Sequence, residues 1–385
     1  MRRAAVIVMD ACGVGALPDA AEYGDEGTNT LVHLAERAGG LDLPVLGSLG
    51  LGSIVPLDGV PPADAPVLHG RVGAVGPGKE STTGHWELMG VRVERALPTY
   101  PEGFPDDVVA ALERATGRRF CCNRPFSGTA VLEEFGEHHV SSGELILYTS
   151  ADSVLQIAAH IDVLSEPELY EVCTAAREVM DGEHAVGRVI ARPFDGGVGG
   201  DRVWHRREGR RDFALPPPSR SYLEELQAAG VPVHGVGKIR DLFAGVGVDV
   251  KHAGATNAEG IAATTALLGD LDHGLVFVNL VETDQVYGHR HDVAGFAAAL
   301  HAIDDAVGEW LGLLRPDDLL VLTADHGVDP TTDHTDHTRE YAPLLARFDG
   351  HGGRRHDGAL ADVGASVMRW LTGREVPELP GTSFL

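Results

Sequence analysis

Three short apolar runs in this 385-residue chain share one grammar. Each has the length of a strand, and each is followed at once, or within three residues, by an aspartate. Ala4 to Met9 (AAVIVM) leads straight into Asp10. Leu275 to Val281 (LVFVNLV) leads through Glu282-Thr283 to Asp284, and Leu319 to Leu322 leads through Thr323-Ala324 to Asp325. Continuous apolar runs suit strands buried on both faces of a parallel sheet. In an open α/β sheet, ligands bind beyond the carboxyl ends of the strands, so these runs predict three carboxylates at one edge.

Helical spacing fills the intervals between these strands. Thr28 to Ala38 places Leu31, Leu34 and Ala35 on one face, and Ala258 to Leu268 is a short Ala-rich helix. Val293 to Leu314 carries Phe296, Leu300, Ile303, Val307 and Leu311 at helical spacing, with Pro316 closing it. Strands alternating with helices predict a doubly wound α/β core. Composition shifts near Pro98 and again at Pro216-Pro217-Pro218, a stiff extended run that suits a hinge. The stretch between has elements of its own. We expect helices near Asp106–Ala115, Ser153–His160 and Glu168–Met180, with strands at Glu144–Thr149 and Val186–Ala191. The expected organisation is a core formed by residues 1–97 and 217–385, with residues 98–216 inserted as an α+β cap.

The bulk numbers are those of a soluble globular protein, with 43% hydrophobic and 23% charged residues. A formal net charge of −26 argues against nucleic acid or an anionic membrane as partner. It would also repel a phosphorylated substrate unless bound cations reversed the field locally. Cys12, Cys121, Cys122 and Cys173 fit neither a zinc ribbon nor a disulfide framework, so a reducing cytoplasm is the expected home. The run after Arg2-Arg3 is six residues long, too short for a secretory h-region, and no stretch nears the roughly 18 apolar residues of a membrane span.

Chemistry concentrates in two stretches. Leu319 to Tyr341 reads LLVLTADHGVDPTTDHTDHTREY, with Asp-His pairs at 325–326, 333–334 and 336–337. Carboxylate and imidazole at that density, just past a buried strand, are the donors of a divalent-metal site. Gly76 to Gly90 reads GPGKESTTGHWELMG, a Gly/Pro turn leading to Ser81, Thr82 and Thr83 at the start of a helical segment. A hydroxyl there faces free backbone N–H groups and the positive end of the helix dipole, which suits a phosphoryl group. Simple N-capping explains the same residues, and chemistry alone leaves the choice among the three hydroxyls open.

Several motifs together resemble phosphopentomutase: VMD at 8–10, GKESTTGHWE at 78–87, YTSADSVLQIAAH at 148–160 and GRVIARPF at 187–194. GVGKI at 235–239, NLVETDQVYGHR at 279–290, TADHGVDP at 323–330, TDHTREY at 335–341 and the terminal GTSFL extend the similarity essentially end to end. The Asp-His motifs alone point only to the wider alkaline-phosphatase-like superfamily. The resemblance implies an alkaline-phosphatase-like core with a cap, two manganese ions, and interconversion of ribose 1-phosphate and ribose 5-phosphate, with the deoxyribose pair. It implies that Asp10, Asp325 and His326 hold one metal and Asp284, His289 and His337 the other. The nucleophile falls on Ser81, where the family usually has threonine preceded by aspartate and this chain has Glu80-Ser81. His334 and Asp333 become loop residues. Phosphate contacts fall on Arg192, Lys238 and Arg210, and a sugar-hydroxyl contact on Asp152, which locally would also serve as a helix cap. Arg210 lies in a segment, Arg188 to Arg211, with seven arginines and three acidic residues.

Two metals can clamp the attacking and leaving oxygens of an in-line phosphoryl displacement, and metal coordination activates a serine hydroxyl. A mutase must also exclude water and grip a second phosphate, for which these arginines and Lys238 are the candidates. The expected route runs through a phosphoserine and a ribose bisphosphate, with a sugar bisphosphate as activator. The competing readings are a metal-dependent phosphomonoesterase or phosphodiesterase, a mutase of another sugar phosphate, and a non-catalytic metal-binding protein.

Overall fold

The structure, a computed structural model, describes residues 2–150, 152–197, 203–349 and 352–385. The chain divides into two compact units. Unit 1 comprises Met1–Arg95 and Pro216–Leu385, and unit 2 comprises Ala96–Leu215. The strands, in chain order, are β1 Arg3–Met9, β2 Leu68–Gly73, β3 Phe120–Pro125, β4 Leu145–Thr149, β5 Val154–His160, β6 Arg188–Gly196 and β7 Trp204–Arg206. They continue as β8 Arg211–Ala214, β9 Val233–Val236, β10 Val250–His252, β11 Gly274–Leu280, β12 Asp318–Thr323, β13 Ala342–Arg347 and β14 Gly358–Ala359.

Unit 1 is a doubly wound α/β core. Its sheet runs β10-β9-β11-β1-β12-β13-β2-β14, parallel from β10 to β12 and antiparallel where β13 enters. Every residue of β1, β11 and β12 is buried, which requires cover on both faces and explains the unbroken apolar runs. The register matters more than the order. Met9 pairs with Leu280 and Val8 with Thr323, so the three central strands end nearly flush. Asp10, Asp284 and Asp325 therefore leave the sheet at one edge. The helices of this unit include Thr30–Ala38, Asn257–Asp270 and Val293–Leu313, within a few residues of the spans expected from spacing. No helix among the described residues is long and apolar enough to cross a membrane.

Unit 2 has a mixed sheet, β3-β4-β5-β6-β7, with β8 pairing β6. Here one expectation fails. The stretch Ser153–His160, read as a helix, is extended from Val154 onward as strand β5, parallel to β6 and antiparallel to β4. The cause is burial on both faces with a period of two. Leu155, Ile157 and Ala159 pack with Leu112, Leu169 and Ala176 of helices Asp106–Thr116 and Glu166–Val179. Ala158 packs the other way with Val131 and Leu132 of helix Ala130–Ser142. An apolar run of that length fits either period, and tertiary burial decided it. No helix follows Asp152, so it caps none.

Candidate metal and phosphoryl-transfer site

The carboxyl ends of β1, β11 and β12 each deliver a carboxylate, and two loops add imidazoles. Asp10 follows β1 directly and its Oδ2 accepts from Asn279 Nδ2 at 2.8 Å, a bond across to β11. Asp325 lies two residues past β12, its Oδ1 accepting from the Ala11 amide at 3.3 Å. Asp284 sits in a single π-helical turn, Thr283–Tyr287, that carries the chain from β11 towards His289. Such turns are frequent at functional sites.

The six residues meet. His326 Nε2 stands 3.4 Å from Asp10 Oδ1 and 3.3 Å from Asp325 Oδ2. Asp284 Oδ1 is 3.3 Å from Nε2 of both His289 and His337. Ligand atoms of Asp284, His289 and His337 lie within 4.8 Å of one another, and so do those of Asp10, Asp284 and His326, so Asp284 belongs to both groups. Two outer ring nitrogens are occupied: Nδ1 of His289 faces the Thr335 carbonyl at 2.6 Å and Nδ1 of His326 the Gly327 carbonyl at 3.1 Å. A carbonyl only accepts, so both rings carry a proton on Nδ1 and leave Nε2, the nitrogen a metal would take, facing the carboxylates.

The donors fit a pair of divalent cations. Asp10 Oδ1, Asp284 Oδ1, Asp325 Oδ2 and His337 Nε2 are buried without a hydrogen-bond partner. Buried charge is costly unless paired or bound to metal. Among the protein groups themselves, burial would lower His326, but Asp325, Asp10 and Asp284 outweigh it and hold the imidazole up at about 10. Burial would likewise raise Asp284, yet His337, His289 and His326 keep it well below the usual carboxylate range. Burial and Asp284 push Asp10 up, and the bond to His326 together with the charge of Lys238 overcomes them. Lys238 follows Gly237, whose positive φ and position over the Asn279 carbonyl admit no side chain. Lys238 makes no hydrogen bond or ion pair among the described residues.

Ser81 is the first residue of helix Ser81–Leu88, with Glu80 as its cap, so its hydroxyl is free of capping duty. Its Oγ is 3.1 Å from His326 Nε2. Thr83 Oγ1 instead donates to the Glu80 carbonyl at 3.2 Å, and Thr82 is buried. The helix can approach because residue 84 is glycine: a Cβ there would meet the Asp325 carbonyl oxygen at 2.6 Å.

Four other residues build this site without having stood out in the sequence. His85 is fully buried, with Nδ1 2.8 Å from the Ser81 carbonyl and 3.0 Å from Asp325 Oδ2. The Ser81 carbonyl accepts, so Nδ1 carries the proton, and the same nitrogen sits beside the Asp325 carboxylate, so one ring touches nucleophile helix and ligand together. Glu340 accepts from the Gly15 and Thr30 amides and from the Thr30 and Thr338 hydroxyls, fastening three loops. Lys79 bridges Asp25 at 3.2 Å and Asp336 at 3.5 Å, and Arg339 pairs with Asp19. The available signal was polar residues crowded into TGHWE and TDHTREY, which only burial turns into a scaffold. His334 lies 3.3 Å from Asp25, away from the histidines above in role.

Asp152, Arg192 and Arg210 lie in unit 2. Arg192 on β6 donates to Gln156 Oε1 at 3.0 and 3.2 Å; burial first, then the neighbouring Arg210, lowers its pKa. Arg210 makes a two-pronged pair with Asp212, both bonds at 2.7 Å. Arg188 lies 3.6 Å from both Asp152 and Asp212. Of the arginine-rich segment, Arg202 falls outside the described residues.

A sequence profile described as the Metalloenzyme superfamily matches residues 2–373. A phosphopentomutase of Dictyoglomus thermophilum is 50% identical over 346 residues, covering 90% of this chain and 88% of the relative. One from Anaeromyxobacter dehalogenans is 49% identical over 388 residues, covering 100% of this chain and 98% of the relative. A third, from Caldanaerobacter subterraneus subsp. tengcongensis, is 47% identical over 390 residues with the same coverage.

Proposed function

This chain belongs to the phosphopentomutase family of metalloenzymes, and from that premise we propose that Ser81 is the residue that carries the phosphoryl group. The enzyme is an isomerase, an intramolecular phosphotransferase acting on a sugar phosphate. The observation that carries the assignment of Ser81 is its hydroxyl, 3.1 Å from His326 Nε2 in a nest of three buried aspartates.

Asp10, Asp325 and His326 would hold one divalent ion and Asp284, His289 and His337 the other, with Asp284 close enough to serve both. The oxygen and nitrogen donors suit Mn²⁺. When bound, such ions neutralise the carboxylates, lower the pKa of the serine hydroxyl and offset charge on the transferring group. The chain's own part is positioning. The first amides of helix Ser81–Leu88 lack intrahelical acceptors and would serve a phosphoryl group on Ser81, and His85 bonds the carbonyl of the residue that would carry it. The phosphoserine gives its phosphoryl group to the free hydroxyl of ribose 1-phosphate or ribose 5-phosphate. The resulting bisphosphate returns its other phosphoryl group to Ser81 Oγ. A bisphosphate supplied from outside would prime an unphosphorylated chain.

A mutase, unlike a hydrolase, must hold a phosphate that is not being transferred. Arg188, Arg192 and Arg210 in unit 2 and Lys238 in unit 1 supply cations for that purpose, and Asp152 an acceptor for a sugar hydroxyl. Four free thiols suit a reducing cytoplasm. The test is incubation with ribose 5-phosphate and Mn²⁺. Ribose 1-phosphate is the expected product, and inorganic phosphate in its place would mean a phosphatase. Ser81→Ala should abolish turnover, a loss of about 10⁴-fold or more, as when other enzyme nucleophiles are removed. Ordinary turnover in that variant would remove Ser81 from the mechanism.

A further inference from the structure

Unit 2 contains a second constellation of metal-ligating atoms, made from residues with no part in the chemistry above. Cys121 lies on β3, His138 on helix Ala130–Ser142, and Glu144 just before β4. The Cys121 sulfur, a ring nitrogen of His138 and a carboxylate oxygen of Glu144 all lie within 4.8 Å of one another. His138 Nε2 and Glu144 Oε2 are 2.8 Å apart, which taken alone is a surface ion pair of little worth. The thiol is what such a pair does not explain. We propose that Cys121, His138 and Glu144 form a cation site for a borderline-soft divalent ion of the Zn²⁺ class, separate from the carboxylate-histidine centre, with its fourth position open to water.

The backbone prepares this arrangement. Gly143 ends the helix in the left-handed region, φ 78°, and turns the chain so that Glu144 comes back towards His138 six residues earlier. The Glu144 amide donates to Ser142 Oγ at 3.1 Å, and its carbonyl accepts from the buried His139 Nδ1 at 2.7 Å. Parallel pairing of Phe120 with Leu145 and Cys121 with Ile146 then sets the thiol beside that corner, 3.6 Å from the Leu145 carbonyl. Cysteine, histidine and carboxylate from three elements are the donor types of zinc sites, and three protein ligands leave one place for water. Burial, with Cys122 and Glu144 nearby, pushes the Cys121 thiol up to about 12, so it is a poor free nucleophile. An arriving cation displaces that proton. The sulfur–metal bond forms as the S–H bond breaks and that proton passes to solvent, while the ring proton that His138 Nε2 shares with Glu144 moves to Nδ1 and frees Nε2 to bind.

Co²⁺ provides the probe, because a thiolate ligand gives it a near-ultraviolet charge-transfer band that oxygen and nitrogen ligands do not. Full-length protein, stripped with chelator and titrated with Co²⁺, should develop that band to one equivalent per chain. Its apparent affinity should rise about tenfold per pH unit, since one proton is released. The band should vanish in Cys121→Ser and persist in Cys12→Ser and Cys122→Ser. His138 is exposed, so His138→Ala folds normally; it should weaken the band's Co²⁺ affinity at least tenfold, since loss of even an outer-shell partner costs about that much. A band that never forms, one that survives Cys121→Ser, or one indifferent to His138→Ala would overturn the proposal.

Discussion

The two ends of the same central strands treat charge in opposite ways. At the amino end, Arg3 of β1 stands in register with Asp318 of β12, and the two form a buried two-pronged ion pair. The remaining guanidinium hydrogens go to the carbonyls of Leu268, Leu271 and Leu313. Every charge there has a protein partner. At the carboxyl end, three aspartates and three histidines leave oxygens and a nitrogen without hydrogen bonds in the interior. The difference separates a structural end from a working one. Closed pairs hold the strands in register, and that rigidity keeps an unbalanced anionic nest assembled for cations from solution.

The sharpest way to break this contrast is to remove the carboxylate common to both ligand groups. Asp284→Asn should lower kcat by about 10³-fold or more, the scale of one lost electrostatic group at a reacting centre. It should also reduce bound metal, read by elemental analysis. In metal-free protein the same change relieves repulsion with Asp10 but forfeits the stronger attraction of His337, His289 and His326, so the thermal midpoint should fall modestly. Full metal content with ordinary turnover would show the carboxyl end to be structural after all.

The converse substitution belongs at the other end. Arg3→Met leaves Asp318 buried and unpaired, and should cost about 3–5 kcal/mol of stability. Turnover per folded molecule should stay within about twofold, because Arg3 supports the sheet and touches nothing that reacts. Urea unfolding alongside initial rates separates the two. Equal losses in both would mean that the register itself is tuned by this pair.

How much of the contrast was legible beforehand depended on whether a feature repeats along the chain or across it. Apolar runs ending on Asp10, Asp284 and Asp325 are local patterns, and parallel-sheet logic carries them to one edge. The burial of Arg3 against Asp318 spans 315 residues and leaves no local trace. The same holds for Glu340, three of whose bonds reach back to Gly15 and Thr30. Strand β5 was misread because VLQIAAH is short and apolar on both faces, and only its neighbours β4 and β6 choose its period. Gly84 falls in the segment expected to be helical, but nothing local shows why it must be glycine. It lies mid-helix, where only a hydrogen clears Asp325.

His85 refines the contrast, because this buried ring ties the working end to the backbone of the nucleophile helix. His85→Ala should weaken metal binding by about 10- to 100-fold, the usual cost of an outer-shell partner, with KM for the sugar phosphate little changed. His85→Asn, which can place an N–H near the same two acceptors, should recover part of the affinity. A filler of packing space alone would be rescued better by leucine, and that result would sink the positioning role.

The smallest expected effect tests whether unit 2 follows the closed style of the amino end. Asp212 is partly buried, which pushes its pKa up, but the bonds and charge of Arg210, with Arg188 and Arg192, outweigh burial and hold it below its ordinary 3.8. The sign follows from proton counting. The unfolded chain takes up the proton first as pH falls, so the stabilisation is complete above 3.8 and disappears as pH drops through the folded-state value. Asp212→Asn should therefore lower stability modestly at neutral pH, and its deficit against the parent should shrink below about pH 4. Freed from Asp212, Arg210 gains hydrogen-bond capacity for phosphate, so KM for ribose 5-phosphate should fall in the same variant or stay level. A deficit that persists unchanged at pH 3 would mean that Asp212 contributes through packing, and that its pairing with Arg210 is incidental to both stability and grip.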